Sequence, residues 1–292
     1  MSVQYTSSVD LTIAVVSKPG GRPQNEDACG YWSSNTAFCF VVSDGLGGYH
    51  GGQIASQQVV SSVLKHFAGN PDISPRNLSD LLVDANQALI ERKRVEPMLA
   101  EMRATAVILA IDFARGQANW AHLGDSRLYC FRQGRIAFRT ADHSYLQNMV
   151  NLGHLDRSEL RNHPMGNLLL GALGGMEEFT PTIQEQAIAL QAGDAFLLCT
   201  DGFWQAVNET EMLNGLAGAS SVNEWLSTME TALLARVKQG HDNYSAIGIW
   251  LHSPEVAALS RGRAAGTSGS SNGQDDEPPL SSAWATRTLP LG

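Results

Sequence analysis

Apolar positions along the chain fall into two periods. Seven short runs are rich in branched and aromatic residues and bounded by Gly, Asp or Asn: LTIAVVS (11–17), AFCFVVS (37–43), TAVILAID (105–112), NWAHLG (119–124), RLYCFRQG (127–134), DAFLLCT (194–200) and SAIGIWL (245–251). That composition and punctuation predict β-strands. The stretch 119–140, NWAHLGDSRLYCF-RQG-RIAFRT, reads as an antiparallel meander with tight turns. Three longer stretches, 52–69, 78–95 and 222–239, carry apolar residues at three- and four-residue steps and predict helices. The first places Ile54, Val59, Val60, Val63, Leu64 and Phe67 on one side. Strands and helices do not alternate strictly, which argues against a doubly wound parallel sheet. The expectation is an α+β layered architecture, antiparallel sheets with helices packed outside them. No internal repeat stands out.

Composition sets the boundaries of that unit. The chain has 292 residues, 43% of them hydrophobic and 17% charged, enough to bury a sizeable core. Residues 1–252 read as one domain. From Ser253 to Gly292 the composition shifts to Gly, Ser, Asp and Pro, and this stretch reads as a flexible low-complexity tail. Its last segment, with Trp284 and Leu289, is either an unstructured end or a short docking peptide. The formal net charge of -9, without a basic run, excludes a general binder of nucleic acid. Cys29, Cys39, Cys130 and Cys199 form no CxxC pair, and three lie inside apolar runs. That usage argues for a reducing compartment and against a disulfide frame or a zinc site. The first residues lack the pattern of a secretory leader, and no window reaches 18 uninterrupted apolar residues. A cytoplasmic location without a membrane anchor is expected.

Charge then changes the picture locally. Asp44-Gly45 follows AFCFVVS, Asp125-Ser126 follows NWAHLG, Asp201-Gly202 follows DAFLLCT, and Asp242-Asn243 stands just before SAIGIWL. A carboxylate at a strand end projects from a rigid scaffold into the cleft at a sheet edge, and a neighbouring glycine lets backbone carbonyls approach a ligand. Hard cations such as Mg²⁺ and Mn²⁺ take oxygen ligands of this kind. One Asp-Gly is by itself a turn signal. The spacing leaves both readings open, a set of turns or an oxygen-lined metal cleft. A fifth element, Arg22-Pro-Gln-Asn-Glu26-Asp27, sets a guanidinium beside two carboxylates. It is a surface ion pair or a phosphate clamp beside a metal.

Eight segments stand in one order: RPQNEDA (22–28), VVSDGLGGYHGGQIAS (41–56), RATAVILAI (103–111), AHLGDSRLYCFRQG (121–134), TADHS (140–144), NHPMGNLLLGALGG (162–175), GDAFLLCTDGFWQAV (193–207) and HDNYSAIGI (241–249). In that order they resemble the metal-dependent protein serine/threonine phosphatases of type 2C in their compact bacterial form, over roughly residues 10–252. The resemblance implies a four-layer αββα sandwich of two mainly antiparallel sheets. It implies two Mn²⁺ or Mg²⁺ ions in the cleft between sheet edges, and a third, looser one. It makes Asp44 the bridge between the two metals and the Gly45 carbonyl a ligand of one. Asp201 and Asp242 hold the other, Glu26 and Asp27 act mainly through metal-bound water, and Asp125 serves the third. Arg22 grips the substrate phosphate. Phosphorylated proteins are the implied substrates, a bacterial Ser/Thr kinase the implied opponent, and a monomer the implied state.

Several positions depart from the family pattern. Leu46 stands where many eukaryotic members have a histidine that protonates the leaving group, which leaves His50, a bound water or no group at all for that role. Tyr49 and Gln53 alter the loop after Asp44, and neither place is a metal ligand in the family. Arg103-Ala104-Thr105 replaces a Gly-Thr-Thr type segment; Arg103 is a surface cation or one that recruits phosphopeptides. Residues 162–175 lack two arginines usual in the flap beside the site, and Gln205 follows Trp204 where an acidic residue is common. His143 reads as part of a helix start capped by Asp142 or Ser144, and His122 and His163 as structural. Trp120, Trp204 and Trp250 read as core. Two rival functions share this fold: a catalytically silent phosphoprotein-binding regulator and a hydrolase of small phosphate esters.

Overall fold

Strand β3 (Ala37–Ser43) shows why the chain folds in layers. It is buried along its whole length. Ala37, Cys39 and Val41 face one apolar cluster, and Phe38, Phe40 and Val42 face another. A strand whose successive side chains alternate faces can be apolar throughout only when both faces are covered. The computed structural model describes residues 10–47, 51–156, 159–160, 163, 165, 168–175 and 179–252. The expected tail at 253–292, with Trp284 and Leu289, lies outside these residues.

The chain runs β1 (Asp10–Lys18), β2 (Ala28–Ser33), β3, β4 (Gly45–Leu46), α1 (Gly51–Gly69), α2 (Pro75–Val95), β5 (Arg103–Ala104), β6 (Ala106–Asp112), β7 (Gln117–Leu123), β8 (Arg127–Arg132) and β9 (Arg135–Arg139). It continues with α3 (Tyr145–Asn151), β10 (Thr182–Ile183), β11 (Ile188–Ala189), β12 (Ala195–Cys199), α4 (Asp201–Trp204), α5 (Glu209–Gly218), α6 (Val222–Leu234) and β13 (Tyr244–His252). One sheet has the order β1-β13-β12-β8-β9; the other has β10-β7-β6-β3-β2, with β11 also on β7. All pairings are antiparallel. The α+β reading with two antiparallel sheets holds.

Three apolar clusters fill the gaps between four layers. Val59, Val63, Phe67, Leu78, Leu82 and Leu89 of α1 and α2 pack on the outer face of the β3-β6 sheet. Phe40, Leu109, Trp120, Phe196, Ile247 and Ile249 meet between the sheets. Met212 of α5 and Trp225, Leu226 and Met229 of α6 cover Tyr129, Phe131 and Leu197 on the other side. Helix α1 buries Val59, Val60, Val63 and Phe67, with Ile54 and Leu64 partly buried against the same core, as the spacing predicts. The third helix is shorter than its periodicity suggests and ends at Leu234.

The meander expected over 119–140 is corrected. β8 and β9 form a hairpin through Gln133-Gly134, both with positive φ. β7 does not pair with β8; it pairs with β6 in the other sheet. Gly124, at φ 107°, turns the chain across the gap between sheets. Both β7 and β8 are almost wholly buried. Each therefore needs cover on two faces, which two stacked sheets supply and a single one-sided meander does not.

Candidate active site

The strand registers carry the acidic residues to one end of the sandwich. In one sheet Ala28 pairs with Ser43, Val42 with Val107, and Ala106 with Leu123. The residues just beyond these pairs are Asp27, Asp44 and Asp125. In the other sheet Lys18 pairs with Tyr244, Ala246 with Cys199, and Cys199 with Arg127. Just beyond lie the segment holding Arg22 and Glu26, then Asp242 and Asp201. The three-residue crossing Gly124-Asp125-Ser126 joins the two sheets at this same end. Residues separated by up to 220 positions thus share one rim.

Hydrogen bonds hold each one. Thr105 Oγ1 accepts from the Asp44 N–H at 2.9 Å, and the Thr105 N–H donates to the Asp44 carbonyl at 2.9 Å. Thr105 Oγ1 lies 2.7 Å from Ser126 Oγ, so it ties the Asp44 corner to the Asp125 corner. Thr200 Oγ1 donates to Asp27 Oδ2 at 2.9 Å and accepts from the Ser245 N–H at 3.0 Å. The buried Asn243 side chain accepts from the Glu26 N–H and donates to the Pro19 and Gln24 carbonyls, each at 2.8 Å. Gln205 Nε2 donates to Asp201 Oδ2 at 3.0 Å. Arg22 Nη2 meets Asp242 Oδ2 at 3.2 Å with both side chains about half exposed, so the guanidinium stays accessible to a ligand. Beside Gly45 there is no room for a side chain: a Cβ would lie 2.0 Å from the Gly52 carbonyl oxygen and 2.5 Å from that of Glu26.

Beneath Asp125 sits a buried cation. Arg127 makes a two-pronged pair with Asp142, at 2.7 and 2.6 Å, with both side chains under 5% exposed. Its guanidinium stacks 3.3 Å from the Trp204 ring centre, and Trp204 Nε1 donates to the Asp125 carbonyl at 2.9 Å.

Five carboxylates in one low-dielectric rim repel one another. Burial pushes Asp27 up to about 7, with Asp201 and Asp242 adding to it and hydrogen bonds from Ser245 and Thr200 opposing. Burial also raises Asp201, to about 6, with Asp242 the main like charge; a hydrogen bond from the Asp44 carboxyl opposes the rise. Asp44 lies well above the usual carboxylate range through burial, then through Asp27, Asp201, Asp125 and Asp242. Asp125 is raised by burial, then by Asp201 and Asp142, against the opposing charge of Arg127. A cation placed among these groups relieves the repulsion and restores their ionisation. The donor set is oxygen only. Among the described residues no three acidic, imidazole or thiol groups form a closed ligand cluster. A hard divalent cation takes one or two carboxylates and keeps several waters. The residues present fit Mg²⁺ or Mn²⁺ and lack the imidazole and thiolate ligands typical of zinc.

Comparison with known proteins gives the arrangement a family. The family model described as Protein phosphatase 2C matches residues 21–239. The chain belongs to the protein phosphatase 2C family. It is 33% identical over 197 residues to the serine/threonine protein phosphatase PstP of Mycobacterium tuberculosis, covering 67% of this chain but 36% of that protein, about a third of its length. It is 28% identical over 232 residues to the serine/threonine phosphatase stp of Listeria welshimeri, covering 77% of this chain and 90% of that protein. It is also similar to the crystal structure of the PstP catalytic domain in complex with 2 manganese ions. There the TM-score is 0.68 and the identity 27%, covering 84% of this chain and all of that one.

Against the protein phosphatase 2C pattern, the remaining residues fall into place. Leu46 pairs with Arg103 in the short β4–β5 ladder beside Asp44, so Arg103 flanks the rim. His50 and Tyr49 lie outside the described residues. Ser144, not Asp142, caps α3, accepting from the Gln147 N–H; Asp142 is taken by Arg127. His122 is buried and His163 accepts from the Met165 N–H. Trp120 and Trp204 are buried, and Trp250 packs partly buried against the helix-covered cluster. None of the four cysteines is in a disulfide, and burial pushes the Cys29 and Cys130 thiols up to about 12, far from thiolate chemistry. Among the described residues no helix is long and apolar enough to cross a membrane. Sequence reading missed Thr105, Thr200 and Asn243 as site residues. Only Asn243, next to Asp242 and ahead of an apolar strand, carried a local signal.

Proposed function

We propose that this chain is a metal-dependent phosphatase acting on phosphoserine and phosphothreonine in proteins. The observation that carries this reading is the convergence of Asp27, Asp44, Asp125, Asp201 and Asp242 at one rim, where burial and like charges raise Asp27, Asp44, Asp125 and Asp201. Membership of the protein phosphatase 2C family supports it. The manganese seen in the similar PstP structure supports two Mn²⁺ or Mg²⁺ ions in the core site.

In this reading Asp44 would be shared by the two ions and the Gly45 carbonyl would be a ligand of one. Asp201 and Asp242 would hold the other, and Glu26 and Asp27 would act mainly through bound water. Asp125 would hold a third, weaker ion. When bound, the cations supply an activated water and offset the phosphoryl charge. Arg22, half exposed and paired with Asp242, swings onto the phosphate oxygens, where its planar fork binds two at once. Leu46 holds no proton, which leaves His50, a bound water or no group at all to protonate the leaving oxygen. The acidic chain acts without nucleic acid or a membrane, as a cytoplasmic monomer opposing a bacterial Ser/Thr kinase.

Phosphate release from a phosphothreonine peptide, with Mn²⁺ and with excess chelator, tests the reading. Turnover that requires Mn²⁺ and is lost to chelator supports it. No metal-dependent turnover points to the silent regulator, and turnover of small esters alone points to a small-ester hydrolase.

A further inference from the structure

His143 spends both ring nitrogens on structure that α3 does not need. Nδ1 accepts from the Gly124 N–H at 3.0 Å, so that nitrogen is bare; Nε2 carries the proton and faces Thr182 Oγ1 at 2.9 Å. The His143 N–H donates back to the Gly124 carbonyl at 2.9 Å, so one residue holds both polar backbone groups of Gly124. Its carbonyl accepts from the Leu170 N–H at 2.9 Å, and Ser144 bridges to Leu169. The ring stacks on His122 with centres 4.6 Å apart, and His122 lies opposite Thr182 in the β7–β10 pair. His143 therefore joins three things: the corner that carries Asp125, the short strand β10, and residues 168–170 alongside it. Burial, then His122, lowers its pKa to about 4, which keeps Nδ1 a bare acceptor near neutral pH.

We propose that His143 is a positioning residue that aims the Asp125 carboxylate and couples it to the seating of β10 and residues 168–170. The proposal rests on the reading above that Asp125 holds a weak divalent cation. With the Gly124 backbone held by His143 and the Asp125 carbonyl held by Trp204, the carboxylate has a fixed base from which to project. Without the imidazole, the Gly124 N–H loses its partner and the corner gains freedom one residue from the ligand.

Two readouts test this in the full chain: amide exchange at Gly124 in chelated protein, and a calorimetric titration with Mn²⁺ alone. H143A is expected to speed Gly124 exchange about tenfold, the scale of one lost hydrogen bond. It is expected to weaken the loosest Mn²⁺ step by about tenfold or more, as loss of a ligand's supporting partner does. H143N, whose side-chain oxygen falls near the place of Nδ1, should recover both to within about threefold. T182V removes only the Nε2 contact and is the milder variant should alanine fail to fold; about threefold faster Gly124 exchange is expected. Unchanged Gly124 exchange in T182V overturns the coupling. So does a lowered thermal midpoint in H143A with wild-type exchange and a wild-type Mn²⁺ isotherm. D125N separates the layers. If it removes the loose step while H143A does not alter it, the ligand assignment stands and the positioning role falls. If D125N leaves the isotherm unchanged, the assignment fails and takes the proposal with it.

Discussion

A buried aspartate is costly unless something answers its charge, and this rim holds several with one nearby buried cation, Arg127, already committed to Asp142. A cation among the aspartates would answer their burial and mutual repulsion. After burial, Asp44 is raised by Asp27, Asp201, Asp125 and Asp242, which suits a bridging role. D44N and D242N should each lower phosphopeptide turnover by about 10³-fold, several kcal/mol of charge stabilisation, with the far-ultraviolet spectrum unchanged. Near-normal rates in either variant would show the ligand assignment to be wrong. R22A should lower kcat/KM by about 10- to 100-fold, the scale of one or two charge-assisted hydrogen bonds to phosphate; steady-state kinetics measure this. The acidic residues were legible because each follows or precedes an apolar strand. Thr105 and Thr200 were not. A β-branched residue at the end of an apolar run reads as strand, and its hydroxyl acquires a role only when another corner arrives at hydrogen-bond distance.

At the scale of elements, short segments do the joining. Asn243 ties the start of β13 to the 19–26 segment through three hydrogen bonds, so N243A leaves buried polar groups unpaired. It should cost about 1–3 kcal/mol of unfolding free energy, read by denaturant titration. Breaking the buried Arg127–Asp142 pair is expected to cost more. R127M should destabilise by about 3–5 kcal/mol, because Asp142 is left buried without its cation. The seven expected strands and two of the three expected helices were legible because their apolar periods run along each element, whereas β2, β10, β11 and α5 were not read. The jump from β7 to β8 was not. Nothing within 119–140 says that a hairpin-like pattern is split between two sheets; the need to cover both faces of each strand decides it, and that is a property of the whole stack.

Across the whole molecule, four layers bury three apolar interfaces, and this rigid sandwich keeps the repelling carboxylates together. Asp27 and Asp201, at about 7 and about 6 against an ordinary value of 3.8, bind more protons folded than unfolded. Metal-free stability from these groups falls as pH rises from about 4 through 7. His122 and His143 are lowered and act oppositely, their contribution being lost as pH falls below their ordinary 6.5. The two effects overlap below pH 6.5 and separate above it. Chelated protein should therefore lose thermal stability between pH 6.5 and pH 8, and the gain on adding Mn²⁺ should be larger at pH 8 than at pH 5. Scanning calorimetry at these pH values checks both. An Mn²⁺ gain independent of pH would place the cation away from these aspartates.

The central claim is that the strand-end aspartates converge to hold divalent cations. An anomalous-difference map from crystals grown with Mn²⁺ tests it most directly. Two strong peaks are expected, one between Asp44 and the Gly45 carbonyl and one among Asp44, Asp201 and Asp242, with a weaker third near Asp125. Peaks that avoid Asp44, or an empty rim at saturating Mn²⁺, would contradict the account.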